Sequence, residues 1–178
     1  MSDVPDIGVI DIDPADVIAE ESASELAART IFHSHTLYEE SHPRALAVYC
    51  SDGRFTQAVE ELLTELGHPR IDTLTIPGGA ALLHLWSAAH SEAETVRRSA
   101  SFLISGHRLT NVVLVAHEGC GYYRARFPSL APEPMLARQI LDLQRAAGWI
   151  RLHHPDITVM TFFAQPESGT IVFQACPT

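Results

Sequence analysis

Two spacings of apolar residues alternate along this chain, and together they predict its elements. Residues 44–49 (RALAVY) form a short, continuously apolar run after Pro43, which reads as a buried strand ending at Cys50. From Phe55 the spacing changes: Ala58, Val59, Leu62, Leu63 and Leu66 recur on one helical face, with Gly67 and Pro69 as the stop. A second strand is expected over 71–76. Pro77, Gly78 and Gly79 then turn the chain into an apolar, helical stretch over 80–89. Ser91 with Glu94 makes a capping box for a helix with Val96, Ala100, Leu103 and Ile104 inward, ending at Gly106. A third strand, 111–116 (NVVLVA), ends against His117. Leu136, Ile140, Leu143, Ala147 and Ile150 then mark a long helix that stops before Pro155. Strands over 157–164 and 170–174, flanking a loop at 165–169, predict a closing hairpin.

Strands that alternate with helices in this way predict an α/β fold. The expected architecture is a mostly parallel central sheet with helices on both faces and an antiparallel C-terminal edge strand. In such sheets ligands bind beyond the carboxyl ends of the strands, where the winding direction reverses. Cys50 and His117 sit at two such ends. The first dozen residues show no strong pattern. Asp13 followed by Pro14 is a suitable cap and first-turn pair, so a helix is expected from there towards Tyr38.

Composition narrows the function classes. With 178 residues, 46% hydrophobic and 19% charged, the chain has the makings of one globular domain. Twelve Lys and Arg stand against 22 Asp and Glu, a formal charge of -10, so the long-range field repels phosphate backbones and anionic lipid surfaces. Nucleic acid and membrane partners are therefore not expected. The first residues lack a basic start followed by an apolar core, and no apolar run has spanning length; a soluble, cytoplasmic protein is expected. Three cysteines spread over the chain do not form a disulfide framework and point to metal or catalytic roles.

Each of two apolar strands is followed directly by a short segment that can carry chemistry: Cys50-Ser51-Asp52-Gly53-Arg54 and His117-Glu118-Gly119-Cys120-Gly121. Zinc favours thiolate and imidazole ligands in a tetrahedron, and three protein ligands leave the fourth position for water or substrate. Cys50, His117 and Cys120 are therefore the candidate ligands of a zinc ion, Zn2+. Singly, each has a plain structural reading: an inert buried thiol, or a hydrogen-bonded loop histidine. A Cys50–Cys120 disulfide is the remaining alternative.

The two segments resemble the Cys-x-Asp-x-Arg and His-x-x-Cys motifs of the beta-class carbonic anhydrases, over a stretch from about Arg44 to the C-terminus. The resemblance implies a zinc lyase that interconverts carbon dioxide and bicarbonate by a zinc-bound hydroxide, the metal bringing the pKa of its water from about 15.7 to near 7. It also implies a homodimer or dimer of dimers. In this reading residues 1–40 are an N-terminal arm and helix packing on a partner subunit, and residues 41–178 are the zinc-binding α/β domain. Two thiolates neutralise the ion, so activity is expected to favour alkaline pH. Asp52, kept ionised by Arg54, is expected to accept a hydrogen bond from the zinc-bound water. The same carboxylate, swung onto the metal as a fourth ligand, would close the site; a permanently closed site would be a non-catalytic zinc module. Asp52 also suits a helix cap in front of Phe55.

The sequence departs from the family pattern in two places. Gly53 stands where a Ser is usual, which is expected to loosen the loop carrying Asp52. Ile76-Pro77-Gly78-Gly79 stands where the family has Arg-Asn-Ala-Gly. This segment either brings backbone amides to the site or is a plain turn. A reshaped pocket on the same triad keeps open a hydrolase of carbonyl sulfide or carbon disulfide. Cys120 and Arg126 have the spacing of a phosphatase loop without its flanking residues. His33, His35, His153 and His154 are expected at the surface, and Cys176 as a spare thiol. Tyr122, Tyr123 and Phe127 either wall the site or pack beneath the sheet. Arg97, Arg98 and Arg138 are expected on solvated helix faces or a subunit interface.

Overall fold

The computed structural model describes residues 31–84 and 90–177. Strands β1 (Ala45–Cys50), β2 (Asp72–Ile76), β3 (Asn111–His117), β4 (Thr158–Glu167) and β5 (Thr170–Ala175) form one sheet in the order β2-β1-β3-β4-β5. The first four are parallel and β5 runs antiparallel to β4. The predicted sheet is thus the one observed, antiparallel edge included.

Why 44–49 and 111–116 read as continuous apolar runs follows from their places. β1 and β3 are interior parallel strands, buried on both sides, so both side-chain sets must be apolar. Leu46, Val48, Val112 and Leu114 join one core face with Ala100, Ile104, Leu143 and Ile150. Those partners come from helices α2 (His90–Gly106) and α4 (Pro132–His153). Ala47, Tyr49, Val113 and Val115 face the other way, onto Phe55, Val59 and Leu63 of helix α1 (Gly53–Glu65). Each such fully buried aliphatic side chain contributes about 1.5–3 kcal/mol.

α1 stops as its sequence implies. Gly67 takes φ 84°, and the amide of His68 reaches back to the carbonyl of Leu63 at 2.8 Å, a left-handed C-terminal cap. After β1 the chain builds β2 on one side, and β3 then pairs with the other side of β1. The winding direction reverses between β1 and β3, the point at whose carboxyl ends sheets of this kind bind ligands.

Several local expectations are corrected. The helix expected towards Tyr38 lies mostly outside the described residues, and 31–38 carry no helix. After the Gly pair the structure has a 3-10 helix only over Gly79–Leu83, and 85–89 are outside the described residues. Helix α2 begins at His90, so Ser91 lies in its first turn and not at its cap. Leu136 is 38% exposed, because the buried face of α4 runs instead through Gln139, Asp142, Leu143, Ala146, Ala147 and Ile150.

The hairpin loop is shorter than expected. β4 continues to Glu167, and only Ser168 (φ 50°) and Gly169 (φ 86°) turn the chain, a pair of left-handed residues suited to a two-residue hairpin. Pro166 is accommodated because β4 has no β3 partner beyond Ala164, so its missing N–H breaks no bond on that side. Arg97 and Arg138 are not merely solvated. Arg97 Nε donates to the Leu83 carbonyl at 2.6 Å with its guanidinium over Trp149, and Arg138 Nε meets Asp142 at 2.9 Å.

Candidate metal centre

Strand geometry places the donors. Along β1, Cys50 follows Leu46 and Val48 onto the face covered by α2 and α4, and Cys120 belongs to the same core. His117, one step past Ala116, turns to the opposite face, where its ring lies 4.2 Å from that of Phe55. The donor atoms of Cys50, His117 and Cys120 converge all the same, each within 4.8 Å of the others, and all three residues are buried. This is the group of possible metal-holding side chains found among the described residues.

The two sulfurs are free and 3.8 Å apart. That is far beyond a disulfide bond of about 2.05 Å. It matches the separation of roughly 3.8 Å that two Zn–S bonds of about 2.3 Å subtend at a tetrahedral angle. Contact between them splits their acidities. A hydrogen bond from Cys120 draws the Cys50 thiol well below the usual thiol range against the opposing effect of burial, with the amides of Gly78 and Asp52 helping. The same contact, with burial, pushes Cys120 up, while the amides of Tyr123 and Tyr122 pull it down. Two adjoining thiols of this kind are a donor pair that a dication takes as thiolates.

His117 has an equally specific state. Its Nδ1 lies 2.8 Å from the Glu118 carbonyl, and a carbonyl only accepts, so Nδ1 carries the proton. Nε2 is then a bare lone pair, and it is buried with no hydrogen-bond partner. Such an orphan ordinarily costs about 1–3 kcal/mol. Metal-binding histidines are oriented in this manner, one nitrogen fixed by a carbonyl and the other left for the ion. Two sulfurs and one unpartnered imidazole nitrogen fit zinc.

Asp52 holds two positions at once. It is the N-cap of α1, accepting from the Arg54 amide at 3.2 Å, and its carboxylate receives Arg54 Nε at 2.9 Å and Nη2 at 2.5 Å. Hydrogen bonding from Arg54 holds this carboxyl down to about 2. Its oxygens are not in the converging donor group; they face the guanidinium. Gly53, beside it, has ordinary backbone angles, and an added Cβ would meet nothing within 4 Å, so no steric demand accounts for a glycine there.

Gly78 and Gly79, in contrast, are required. Gly78 has φ 84°, and a Cβ would lie 2.5 Å from the Tyr122 ring; Gly79 has φ 53°, and a Cβ would lie 2.5 Å from the Cys50 backbone nitrogen. The pair lets the chain lie against β1 and turn the Gly78 amide to the Cys50 sulfur, so it is more than a turn. Gly79→Ala is expected to cost about 3 kcal/mol, since left-handed strain adds to a collision with backbone that cannot yield. Urea unfolding of the variant beside the parent chain reads this directly.

Other singled-out residues settle as follows. Tyr123 is buried and donates to Asp142 at 3.1 Å, and Tyr122 packs on Gly78 with its hydroxyl near Glu92 and Arg126. Arg126 is engaged with Tyr122. His33, His35 and His153 are exposed, and His154 is half-buried against Ser101. Cys176 is half-buried, apart from the cluster. Sequence reasoning missed Gln139, which donates to the His117 carbonyl at 2.8 Å, and Asp142. The available signal was two polar residues falling on the apolar face of α4.

Fold and site define a class: an α/β protein with a buried Cys-His-Cys donor set at the switch point of its sheet. A family model described as "Putative carbonic anhydrase" matches residues 40–172. The chain belongs to that family, as the two motifs implied. Similar solved structures include the beta-carbonic anhydrase CafA of the fungal pathogen Aspergillus fumigatus, at 16% identity over 75% of this chain and 76% of that one, with a TM-score of 0.48. Others are a tetrameric beta-carbonic anhydrase of the filamentous ascomycete Sordaria macrospora (14%, 78% and 83%, TM-score 0.49) and isoform I from the protozoan Trichomonas vaginalis (15%, 82% and 90%, TM-score 0.48). No curated protein matches the chain in sequence. Among the described residues no helix is long and apolar enough to cross a membrane.

Proposed function

We propose that the chain is a zinc-dependent carbonic anhydrase, with Cys50, His117 and Cys120 as ligands and the Asp52–Arg54 pair as orienter of the reacting water. The observation that carries this is the buried, unpartnered Nε2 of His117 set against two free sulfurs 3.8 Å from each other. Zinc held there supplies the Lewis acidity that makes a water nucleophilic towards carbon dioxide near neutral pH.

The chain's own residues do the rest. The Glu118 carbonyl fixes the His117 tautomer, and the Gly78 and Asp52 amides stabilise the Cys50 thiolate. Asp52, ionised through its bonds to Arg54, offers a carboxylate oxygen to accept a hydrogen bond from the water and so hold its lone pair towards substrate. The turn of that carboxylate to Arg54 favours an open fourth position over the non-catalytic module with Asp52 as fourth ligand. In the same reading the chain works in the cytoplasm as a homodimer or dimer of dimers, residues 1–40 packing on the partner subunit.

Stopped-flow hydration of carbon dioxide across pH, with zinc and molar mass measured on the same sample, tests the proposal. One zinc per chain and turnover that rises towards alkaline pH are expected. Zinc without turnover at alkaline pH would defeat the enzyme reading. Release of sulfide from carbonyl sulfide, with carbon dioxide inert, would assign the reshaped Ile76–Gly79 segment to the hydrolase alternative.

A further inference from the structure

We infer that helix α4 clamps the loop between His117 and Cys120 through two buried polar side chains, Gln139 and Asp142, and that this clamp tunes the metal affinity of the donor set. The inference rests on the metal-centre reading proposed above. Gln139 and Asp142 are positioning residues: neither is among the donor atoms.

α4 reaches both ends of the loop. At one end Gln139, 3% exposed, donates Nε2 to the His117 carbonyl at 2.8 Å. At the other end Asp142, fully buried, accepts the Tyr123 hydroxyl at 3.1 Å. Tyr123 belongs to the short helix α3 (Gly121–Arg126), whose first amides face the Cys120 sulfur. Three positions separate Gln139 and Asp142, so they share one face of α4. That face continues through Leu143, Ala146, Ala147 and Ile150, all buried and apolar.

Two polar groups on such a face carry a desolvation cost that an aliphatic pair would not. Gln139 Nε2 and Asp142 Oδ2 are spent on the metal-bearing loop, and Oδ2 is braced a second time by Arg138 Nε at 2.9 Å, whose guanidinium lies over Phe127 at the end of α3, while Oδ1 has Arg145 Nη1 at 3.7 Å. The loop has need of this. His117 is fixed by β3 and by the Glu118 amide bond to Ala164 at 2.9 Å, but Cys120 lies beyond Gly119 at φ 69°, off the sheet. Donor atoms must be held to about 0.5 Å to bind a metal well. Fixing both ends of the loop to one rigid helix sets that spacing.

The test is the affinity of the full chain for Co2+ and Zn2+ by chelator competition, with the thiolate-to-cobalt absorption band as a second readout. Tyr123→Phe and Gln139→Leu each delete one clamp bond. Each is expected to weaken both metals about tenfold and to change the cobalt band. Ile150→Val, at a fully buried position on the same helix with no bond to the loop, is expected to lower stability and leave affinity unchanged. Should Gln139→Leu fail to fold, Gln139→Met, which fills the same length without an N–H donor, takes its place with the same expectation. Unchanged affinity in the clamp variants, with the parent chain showing its thiolate band, would overturn the clamp. A parent chain without that band would instead overturn the metal-centre reading, and the clamp with it.

Discussion

Cys120→Ser is expected to leave the chain without zinc after purification and with no carbon dioxide hydration above the uncatalysed rate. The reason is stoichiometric: three protein donors are the minimum for a catalytic zinc site, and a serine hydroxyl stays protonated where a thiolate would bind. His117→Ala is expected to do the same by removing the unpartnered Nε2. Cys120→Ser is nearly isosteric, so the sheet and its two cores should persist; His117→Ala also opens a cavity against Phe55 and should lower stability as well.

Stability supplies a readout independent of turnover. A ligand that binds only the folded state stabilises it by about 4 kcal/mol when present at about a thousand times its dissociation constant. For a domain of this length that corresponds to a rise in Tm of roughly 8–16 °C. Stripping the parent chain with a strong chelator should therefore lower its Tm by that order, whereas Cys120→Ser should be indifferent to chelator. Full zinc occupancy in Cys120→Ser, or a parent chain whose melting ignores chelation, would sink the assignment of these three side chains.

These residues were legible for a physical reason that also explains what was not. A central parallel strand must be apolar on both faces, so a Cys or His directly after such a run marks the strand's carboxyl end, where α/β sheets place ligands. Cys50 and His117 stood out on that ground before any coordinate was known. Gln139 and Asp142 did not, because helical periodicity counts apolar positions and these two are polar residues buried only through partners distant in sequence. For the same reason the apolar spacing runs through Leu136, whereas the buried face passes through Gln139.

The long side chains of Arg97 and Arg138 reach back to groups that their own position does not reveal: a carbonyl on the 3-10 helix for one, a buried carboxylate for the other. For Gly78 and Gly79 the sequence supports two readings, since a Gly pair marks a turn but not what the turn must pass. The answer, the ring of Tyr122 and the backbone of Cys50, belongs to tertiary structure. Pro166 reads as a loop residue in the sequence because the open side of β4 beyond Ala164 is a property of the assembled sheet.

Asp52 joins a local role to a chemical one, and the choice of substitution separates them. Asn caps helices as well as Asp does, so Asp52→Asn should change stability by less than about 0.5 kcal/mol, whereas Asp52→Ala should cost about 1 kcal/mol. If the carboxylate orients and accepts from the reacting water, both variants should retain zinc and lose about a hundredfold or more in kcat/KM for carbon dioxide. A residue that only caps would leave Asp52→Asn fully active.

The pH dependence adds a further discrimination. Hydrogen bonding from Arg54 depresses the Asp52 pKa to about 2, so its ionised form persists through the working range. The stability this shift contributes is present above the unfolded value of about 4 and is lost only as pH falls through about 2. Alkaline activation of turnover therefore cannot arise from Asp52. Arg54→Ala would let the carboxyl return towards its ordinary value, still ionised at neutral pH. The loss expected in that variant comes from orientation, as the freed carboxylate is able to turn from its guanidinium partner to the cation. Arg54→Ala should accordingly bind zinc no more weakly than the parent chain while turning over more slowly at every pH, and an unaltered rate would remove the pair from the mechanism.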